Sequence, residues 1–155
     1  MKVQNLYKSF GEKQVLKGLS FEAGTGITGI SAPSGKGKST LAKIISGIEK
    51  PDSGTVSDVG KVSYDFQEPR LLPWKSAQKN AEIAQKAPGI AKKILTELGL
   101  GNDLSLMPDE LSGGMQKRVS LARALAADFD TLLLDEPFSG FDSALRETAL
   151  EVIKK

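Results

Sequence analysis

The sequence predicts an α/β fold, and three patterns along its 155 residues support that prediction. Two stretches near the N-terminus alternate apolar and polar residues, as short antiparallel strands do. A short apolar run then leads into a glycine-rich loop at 31–40, and a helical pattern follows it. A second apolar run, "TLLL", ends in two acids, which is typical of a strand whose carboxyl end faces a ligand in an open α/β sheet.

Composition limits the chemistry that this chain can perform. It contains no cysteine and no histidine, so any catalysis must use carboxylates, lysine, hydroxyls or backbone groups. The net charge of +2 is too small to indicate nucleic-acid binding. No apolar run is long enough to span a bilayer and the N-terminus does not resemble a signal peptide, so we expect a single cytosolic domain.

The elements of the first half follow from periodicity. "KVQNLYKSF" and "QVLKGLSFEA", on either side of Gly11, predict antiparallel strands. "GITGIS" predicts a buried strand that enters the glycine-rich loop. From Ser39 a helix is predicted, which stops at Pro51 and a turn at 52–54. Its apolar face is predicted to comprise Leu41, Ile44, Ile45 and Ile48.

The second half is predicted in the same way. "KVSYDF" predicts a strand with Val62, Tyr64 and Phe66 alternating, and "QEPRLLPWKSAQ" predicts an irregular segment. Helices are expected at "GIAKKILTELGL" and at 114–127. "TLLLDEP" predicts a strand buried on both faces. A last helix, "DSALRETALEVIKK", is expected to have Asp142 or Ser143 as its N-cap.

The loop "SAPSGKGKST" has the spacing of a phosphate-binding loop except that alanine, Ala32, stands where the pattern has glycine. Such a loop curls its N–H groups around phosphate oxygens at a helix N-terminus. Gly35 and Gly37 give the backbone freedom, Lys38 would reach the phosphates, and the Ser39 hydroxyl would ligate Mg²⁺. Ala32 is tolerable if its φ is negative, which we expect.

The alternative is an ordinary glycine-rich turn that carries a lysine. The candidate nucleotide contacts are Ser34, Gly35, Lys36, Gly37, Lys38, Ser39 and Thr40.

Two acids follow the second apolar run. Asp135 could hold Mg²⁺ through water, and Glu136 could orient or deprotonate an attacking water. Alternatively, these acids cap a helix before a turn.

"LSGGMQKR" places a serine and two glycines at the start of a basic helix. Its N–H groups and the Ser112 hydroxyl could form a second anion site. Because the phosphate-binding loop already contacts the phosphates, this site would serve the nucleotide of a second copy, giving a dimer. The alternative is an ordinary N-capped helix.

The order "APSGKGKST", "FQEPRLLPW", "LSGGMQKR", "LLLDEP" and "FSGFD" strongly resembles the nucleotide-binding subunit of ATP-binding cassette (ABC) transporters, over essentially the whole chain. "LSGGM" is the signature of that superfamily. The resemblance implies a P-loop NTPase core with an N-terminal antiparallel β subdomain and a shortened helical subdomain that carries the signature. It implies ATP and Mg²⁺ as ligands. It also implies a single domain, with 1–67 and 128–155 forming the β subdomain and core and 68–127 forming the helical subdomain.

The resemblance also implies residue roles. Phe10 would stack on adenine, although it could instead be a hairpin core residue. Lys38, Gln67 and Glu136 would be catalytic, with Gln67 sensing Mg²⁺ and the attacking water. Ser39, Gln67 and Asp135 would serve the metal. Ser112, Gly113 and Gly114 would contact the nucleotide of the opposite protomer, and Asp142 would lie in the loop that crosses the dimer interface.

"FQEPRLLPW" is similar to importers of the nitrate, sulfonate and taurine group. Leu71 and Trp74 would then lie near the groove for a transmembrane permease subunit, or both could pack the helical subdomain. A solute-binding protein would act indirectly, and the chain would sit on the cytoplasmic face of the membrane.

The C-terminal end departs from the family pattern. Family members continue into a strand that ends in a histidine at the γ-phosphate, within a further βα unit of about 30 residues. That strand lies between the loop strand and "LLLDEP", so we expect an opened core and impaired hydrolysis. The chain is then either a fragment or a short form whose central strands pair unusually. Its function is that of an importer ATPase or, alternatively, of a degenerate nucleotide-binding module; a soluble protein acting on nucleic acid or ribosomes is a third option.

Overall fold

The computed structural model describes residues 1–154, which form two compact units, one at Met1–Val62 and the other from Ser63 onward. Each unit has buried apolar side chains of its own. The predicted assignment of 68–127 to a helical subdomain within one domain stays a prediction.

The first unit contains a three-stranded antiparallel sheet. The described strands β1 (Lys2–Phe10), β2 (Lys13–Glu22) and β3 (Ser53–Ser57) lie in the order β2-β1-β3. The N-terminal hairpin is confirmed, whereas β3 replaces a predicted turn. Gly54 has φ 91° and lies so close to β1 that a Cβ there would collide with the Asn5 carbonyl. Glycine at this position therefore allows β3 to pair with β1.

Helix α1 (Lys38–Ile45) follows the glycine-rich loop, as predicted. Leu41, Ile44 and Ile45 are buried along one face. Ile48 was expected on that face, and this prediction is wrong because the helix ends at Ser46 and leaves Ile48 57% exposed.

The predicted strand "GITGIS" is wrong. Residues 24–33 form no strand, and Ile27 is 71% and Ile30 50% exposed. A strand needs a neighbour for its N–H and C=O groups. The sheets of the described residues, β2-β1-β3 and β4-β5, supply no partner to this run.

Strands β4 (Val62–Asp65) and β5 (Thr131–Leu134) form the other described sheet. Both were predicted, but the burial of β5 differs from the prediction. Ser63 and Asp65 are the buried residues of β4, so its inward face is polar rather than the face of Val62 and Tyr64. The β5 residues are only half-buried, because β4 is their strand partner among residues 1–154.

Helices provide the apolar core of the second unit. They are α2 (Ala77–Glu82), α3 (Ile90–Glu97), α4 (Gly113–Ala126) and α5 (Ser143–Lys154), with a 3₁₀ turn at Pro108–Glu110. All except α2 and the 3₁₀ turn were predicted, and the segment after Gln67 is irregular, as expected. The largest fully buried apolar side chains are Leu95, Leu98, Leu100, Val119 and Leu121. Within residues 1–154, no helix has the length and apolar character that crossing a membrane requires.

Candidate functional site

The glycine-rich loop has the backbone that a phosphate-binding loop requires. Gly35 and Gly37 have φ 75° and 90°, so both adopt the left-handed backbone conformation that glycine allows, as predicted. A Cβ on Gly37 would lie 2.7 Å from Val15 Cγ1, whereas a Cβ on Gly35 would meet no described atom within 4 Å. Ala32 is absent from the described non-glycine residues with positive φ, so alanine fits there without strain.

Lys38 begins α1 and its ammonium folds back over the loop. Nζ donates to the Ala32 carbonyl at 2.7 Å and to the Pro33 carbonyl at 3.2 Å. Gly37, the N-cap, gives no side-chain cap to the helix, so the first N–H groups of α1 remain available to a ligand. Ser34 and Lys36 are exposed, and Ser39 and Thr40 are half-buried in the first helical turn.

A pocket of about 520 Å³ lies within the first unit, between β2 and this loop. Its lining includes Val15, Gly35, Gly37 and Lys38. That volume is in the range of small-molecule sites. Phe10 lies outside the lining and is 50% exposed, with the Lys8 ammonium 5.1 Å from its ring centre. It is therefore not a hairpin core residue, and its stacking on adenine stays a prediction.

Asp135 and Glu136 follow β5 in the second unit and differ in environment. Asp135 is buried, and its Oδ2 accepts a hydrogen bond from the Tyr64 hydroxyl at 3.4 Å. Burial and the neighbouring Asp135 charge raise the pKa of Tyr64 to about 12, so this phenol stays a donor at neutral pH. Glu136 is exposed and has φ 52°, a left-handed conformation that costs a non-glycine residue free energy.

Gln67 and Glu136 are brought together by the structure. Gln67 follows the end of β4, and its Nε2 donates to Glu136 Oε2 at 3.3 Å. The carboxyl ends of the two paired strands thus present an amide and a carboxylate side by side. This arrangement can orient a water molecule and accept its proton.

The segment after Gln67 is anchored by arginines. The Arg70 guanidinium stacks on the Phe66 ring at 4.2 Å, and Arg123 of α4 donates to the Pro69 and Arg70 carbonyls. Burial lowers the pKa of Arg123. Leu71 packs against the core of the second unit, whereas Trp74 is 70% exposed. Leu71 therefore packs in the second unit, as one of the two alternatives expected. Trp74 does not pack there.

The signature segment caps α4. Ser112 Oγ accepts a hydrogen bond from the Met115 N–H at 3.3 Å, and its hydroxyl hydrogen donates to no described residue. The Ser112 oxygen can therefore cap α4 while its hydroxyl hydrogen donates to an anion. Gly113 has open space around it, whereas a Cβ on Gly114 would approach the Gly140 carbonyl at 3.3 Å. Close packing thus joins "LSGGM" to "FSGFD".

Asp142 caps the next helix, α5. Its Oδ1 accepts from the Leu145 N–H at 2.8 Å, which confirms it as the N-cap. Its side chain is exposed, and its role at a dimer interface stays a prediction.

Sequence reasoning missed a buried polar cluster of Asp65, Lys117 and Ser120, hereafter the Asp65 cluster. Lys117 Nζ lies 2.9 Å from Asp65 Oδ2, and Ser120 donates to Asp65 Oδ1 at 2.5 Å. Burial raises the pKa of Asp65, opposed by the Ser120 hydrogen bond and the Lys117 ammonium. The available signal was an acid inside an apolar strand, with a lysine amid the apolar residues of α4.

The chemistry of these residues fits a phosphate-bearing ligand. The first unit offers a glycine-rich loop, a lysine and free helix N–H groups to phosphates. The described residues contain no cluster of three or more metal-ligating acids. The Ser39 hydroxyl, half-buried in the first turn of α1, is an oxygen donor of the kind that Mg²⁺ takes beside phosphate oxygens and water.

Comparison with known proteins agrees with these features. A family model described as "ABC transporter" matches residues 16–139. The chain is 40% identical over 162 residues to the aliphatic sulfonates import ATP-binding protein SsuB of Corynebacterium glutamicum, covering 99% of this chain and 67% of that protein. It is 39% identical over 150 residues to SsuB 2 of Pseudomonas syringae, covering 94% of this chain and 55% of that protein.

A third relative has a different cargo in its name. The Fe(3+) ions import ATP-binding protein FbpC 3 of Rhodococcus jostii is 35% identical over 173 residues, with 99% of this chain and 50% of that protein covered. The chain thus spans between half and about two thirds of the length of these relatives.

Solved structures give the same result. The dimeric structure of the bacterial ABC transporter cassette MJ0796 matches with a TM-score of 0.80 and 27% identity, covering 98% of this chain and 80% of that one. A dimeric post-hydrolysis state of MJ0796 bound to ADP and Pi matches with a TM-score of 0.79, the same identity and the same coverage.

Proposed function

The chain belongs to the ABC transporter family, and on that premise we propose that it binds and hydrolyses ATP as the ATP-binding part of an importer. Its fold is the predicted one, an α/β ATP-binding cassette with an antiparallel sheet and a shortened helical subdomain. The relatives' names support import as the direction, and two of the three relatives described above are named for aliphatic sulfonates. We propose a solute of that class.

The observation that carries the proposal is the loop around Lys38. Its ammonium lies over a pocket whose glycines have the positive φ angles that leave N–H groups free to turn inward. A triphosphate would replace the Ala32 and Pro33 carbonyls as the partner of Nζ. Mg²⁺, when bound, would neutralise charge on the phosphates, with the Ser39 hydroxyl, Gln67 and Asp135 as candidate ligands, directly or through water.

An ATP titration of the full-length protein tests this proposal. Lys38→Ala should weaken ATP binding at least tenfold, because it removes a charge-assisted contact to the phosphates. Lys43→Ala, on the same helix but outside the pocket lining, is the matched control and should bind as the parent does. Equal affinity in both variants and the parent would show that the loop does not bind ATP.

We assign water activation to Glu136. Gln67 orients the water, whose oxygen attacks the γ-phosphorus. The bond between that phosphorus and the β–γ bridging oxygen breaks, ADP leaves with the bonding electrons, and the proton of water goes to the Glu136 carboxylate. The 3.3 Å contact between Gln67 and Glu136 supports this assignment, since it places an orienting amide beside an exposed base.

The signature serine is assigned to the nucleotide of a second copy. In this arrangement Ser112 and Gly114 of one chain contact the γ-phosphate bound by Lys38 of the other, with Gly113 beside them. The free hydroxyl hydrogen of Ser112 supports the assignment, and the structural relatives are dimers. ATP would close the dimer and hydrolysis would reopen it.

The proposed partner is a transmembrane permease subunit, with a solute-binding protein acting indirectly. Trp74 supports this partner, because a large aromatic side chain exposed on an anchored segment is typical of interfaces. Binding to the permease would place the chain at the cytoplasmic face of the membrane.

One observation favours the alternative of a nucleotide-binding module with slow turnover. The run that leads into the loop, residues 24–31, is exposed and forms no strand, so no strand pairing holds the N-terminal side of the loop among the described residues. Tight ATP binding by the full-length protein without measurable phosphate release would favour this alternative over the ATPase.

A further inference from the structure

The Asp65 cluster is enclosed within the second unit and has no role in the function proposed above. The side chains of Asp65 and Lys117 are 0% and 4% exposed. Lys117 Nζ lies 2.9 Å from Asp65 Oδ2, so its ammonium neutralises this carboxylate. Asp65 lies at the end of β4 and Lys117 on the second turn of α4.

The same ammonium reaches the ends of both strands. Lys117 Nζ donates to the Phe66 carbonyl at 2.6 Å and to the Asp135 carbonyl at 3.3 Å. These carbonyls belong to the residues immediately before Gln67 and Glu136. The Asp135 N–H in turn donates to the Asp65 carbonyl at 3.0 Å. A lysine ammonium has three hydrogens, and the Asp65 carboxylate and the two carbonyls provide one acceptor for each.

Stability alone does not explain this cluster. Burying two charges costs desolvation energy, and apolar residues of similar volume commonly serve a core as well or better. An apolar pair could not donate to the Phe66 and Asp135 carbonyls, however. The distinctive property of Lys117 is therefore that it fixes the backbone on which Gln67 and Glu136 stand.

We propose that Lys117 is a positioning residue, which holds the ends of β4 and β5 so that the Gln67 amide and the Glu136 carboxylate meet. Asp65 is the counter-ion of this ammonium inside the unit. Since Ser112 caps α4 and Lys117 lies on this helix, the cluster also ties the signature helix to both strand ends. The expected effect on ATP turnover rests on the function proposed above. The expected effect on the backbone at the ends of β4 and β5 does not.

Paired substitutions separate positioning from stability. Lys117→Met alone leaves Asp65 buried without a counter-ion and should destabilise the protein. Lys117→Met combined with Asp65→Leu removes both charges and should recover the stability. Lys117→Gln combined with Asp65→Leu is the matched control, because the glutamine amide restores donors for the two carbonyls without a charge.

Turnover is the first measurement, made on the full-length protein. The Met/Leu double variant should lose at least tenfold in kcat with KM for ATP within about twofold of the parent, because binding belongs to the loop of the first unit. The Gln/Leu variant should regain most of that kcat. If the two double variants are equally active or equally impaired, donation by Lys117 does not position the site.

Hydrogen exchange provides a measurement that does not depend on activity. The Asp135 amide, whose bond to Asp65 joins the strand ends, should exchange at least tenfold faster in the Met/Leu variant than in the Gln/Leu variant. The Leu121 amide within α4 should be equal in both. An Asp135 amide equally protected in both variants overturns the proposal. A parent protein without ATPase activity contradicts the proposed function instead and leaves this comparison in force.

Discussion

Gln67 Nε2 donates a hydrogen bond to Glu136 Oε2 at 3.3 Å, although the two residues are 69 positions apart in the chain. Their meeting follows from the pairing of β4 with β5, since each residue follows one of these strands. The proposed activation of water depends on this contact.

Backbone strain at Glu136 should be measurable as stability. Its φ of 52° is unfavourable for a residue with a Cβ, so Glu136→Gly should raise the free energy of unfolding by about 1 kcal/mol. Glu136→Ala also loses the carboxylate but keeps the Cβ, and it is the matched control. Denaturant unfolding of the full-length proteins checks this, and a glycine variant no more stable than the alanine variant would contradict the strain.

Truncation of two nearby apolar residues, Leu71 and Trp74, should affect stability to different extents. Leu71→Ala should lower the free energy of unfolding by about 1–3 kcal/mol, because Leu71 packs against the core of the second unit. Trp74→Ala should change it by less than about 0.5 kcal/mol, because the side chain is exposed. Thermal unfolding measures both effects.

Trp74→Ala should also weaken co-purification with the permease subunit while the ATP affinity stays unchanged. Unchanged co-purification would remove Trp74 from the partner surface.

The composite site can be tested by mixing inactive chains. Lys38→Ala removes the phosphate contact of one chain, and Ser112→Ala removes the signature hydroxyl. Each variant should be nearly inactive alone, but a mixture should recover phosphate release. One site of each mixed dimer then combines an intact Lys38 with an intact Ser112 from different chains. A mixture no more active than its components argues against contribution across chains.

Much of the fold could be predicted from periodicity. The β1–β2 hairpin, α1, α3, α4, α5 and the Asp142 cap have strong local signals, and the structure agrees with them. The "GITGIS" prediction failed because an apolar run indicates burial but not which strand will lie beside it. β3 was missed because it is short and mostly exposed, and a close approach of Gly54 to β1 makes it possible.

The sequence predicted residues of the candidate site but not the contacts that hold them in place. The spacing of the loop identified Lys38 and Ser39, and the negative φ expected for Ala32 agrees with the structure. The Lys117 contacts to Phe66 and Asp135 join segments that are distant along the chain, and no periodicity reveals such a contact. Lys117 could only be recognised once β4, β5 and α4 were placed together.

Steady-state phosphate release by the full-length protein and its Glu136→Gln variant tests the central claim most directly. Glutamine keeps the shape of the side chain but cannot accept the proton of water, so kcat should fall at least a hundredfold. The ATP affinity should be retained, and an ATP-bound dimer should accumulate. A Glu136→Gln variant that releases phosphate at the parental rate would contradict the account.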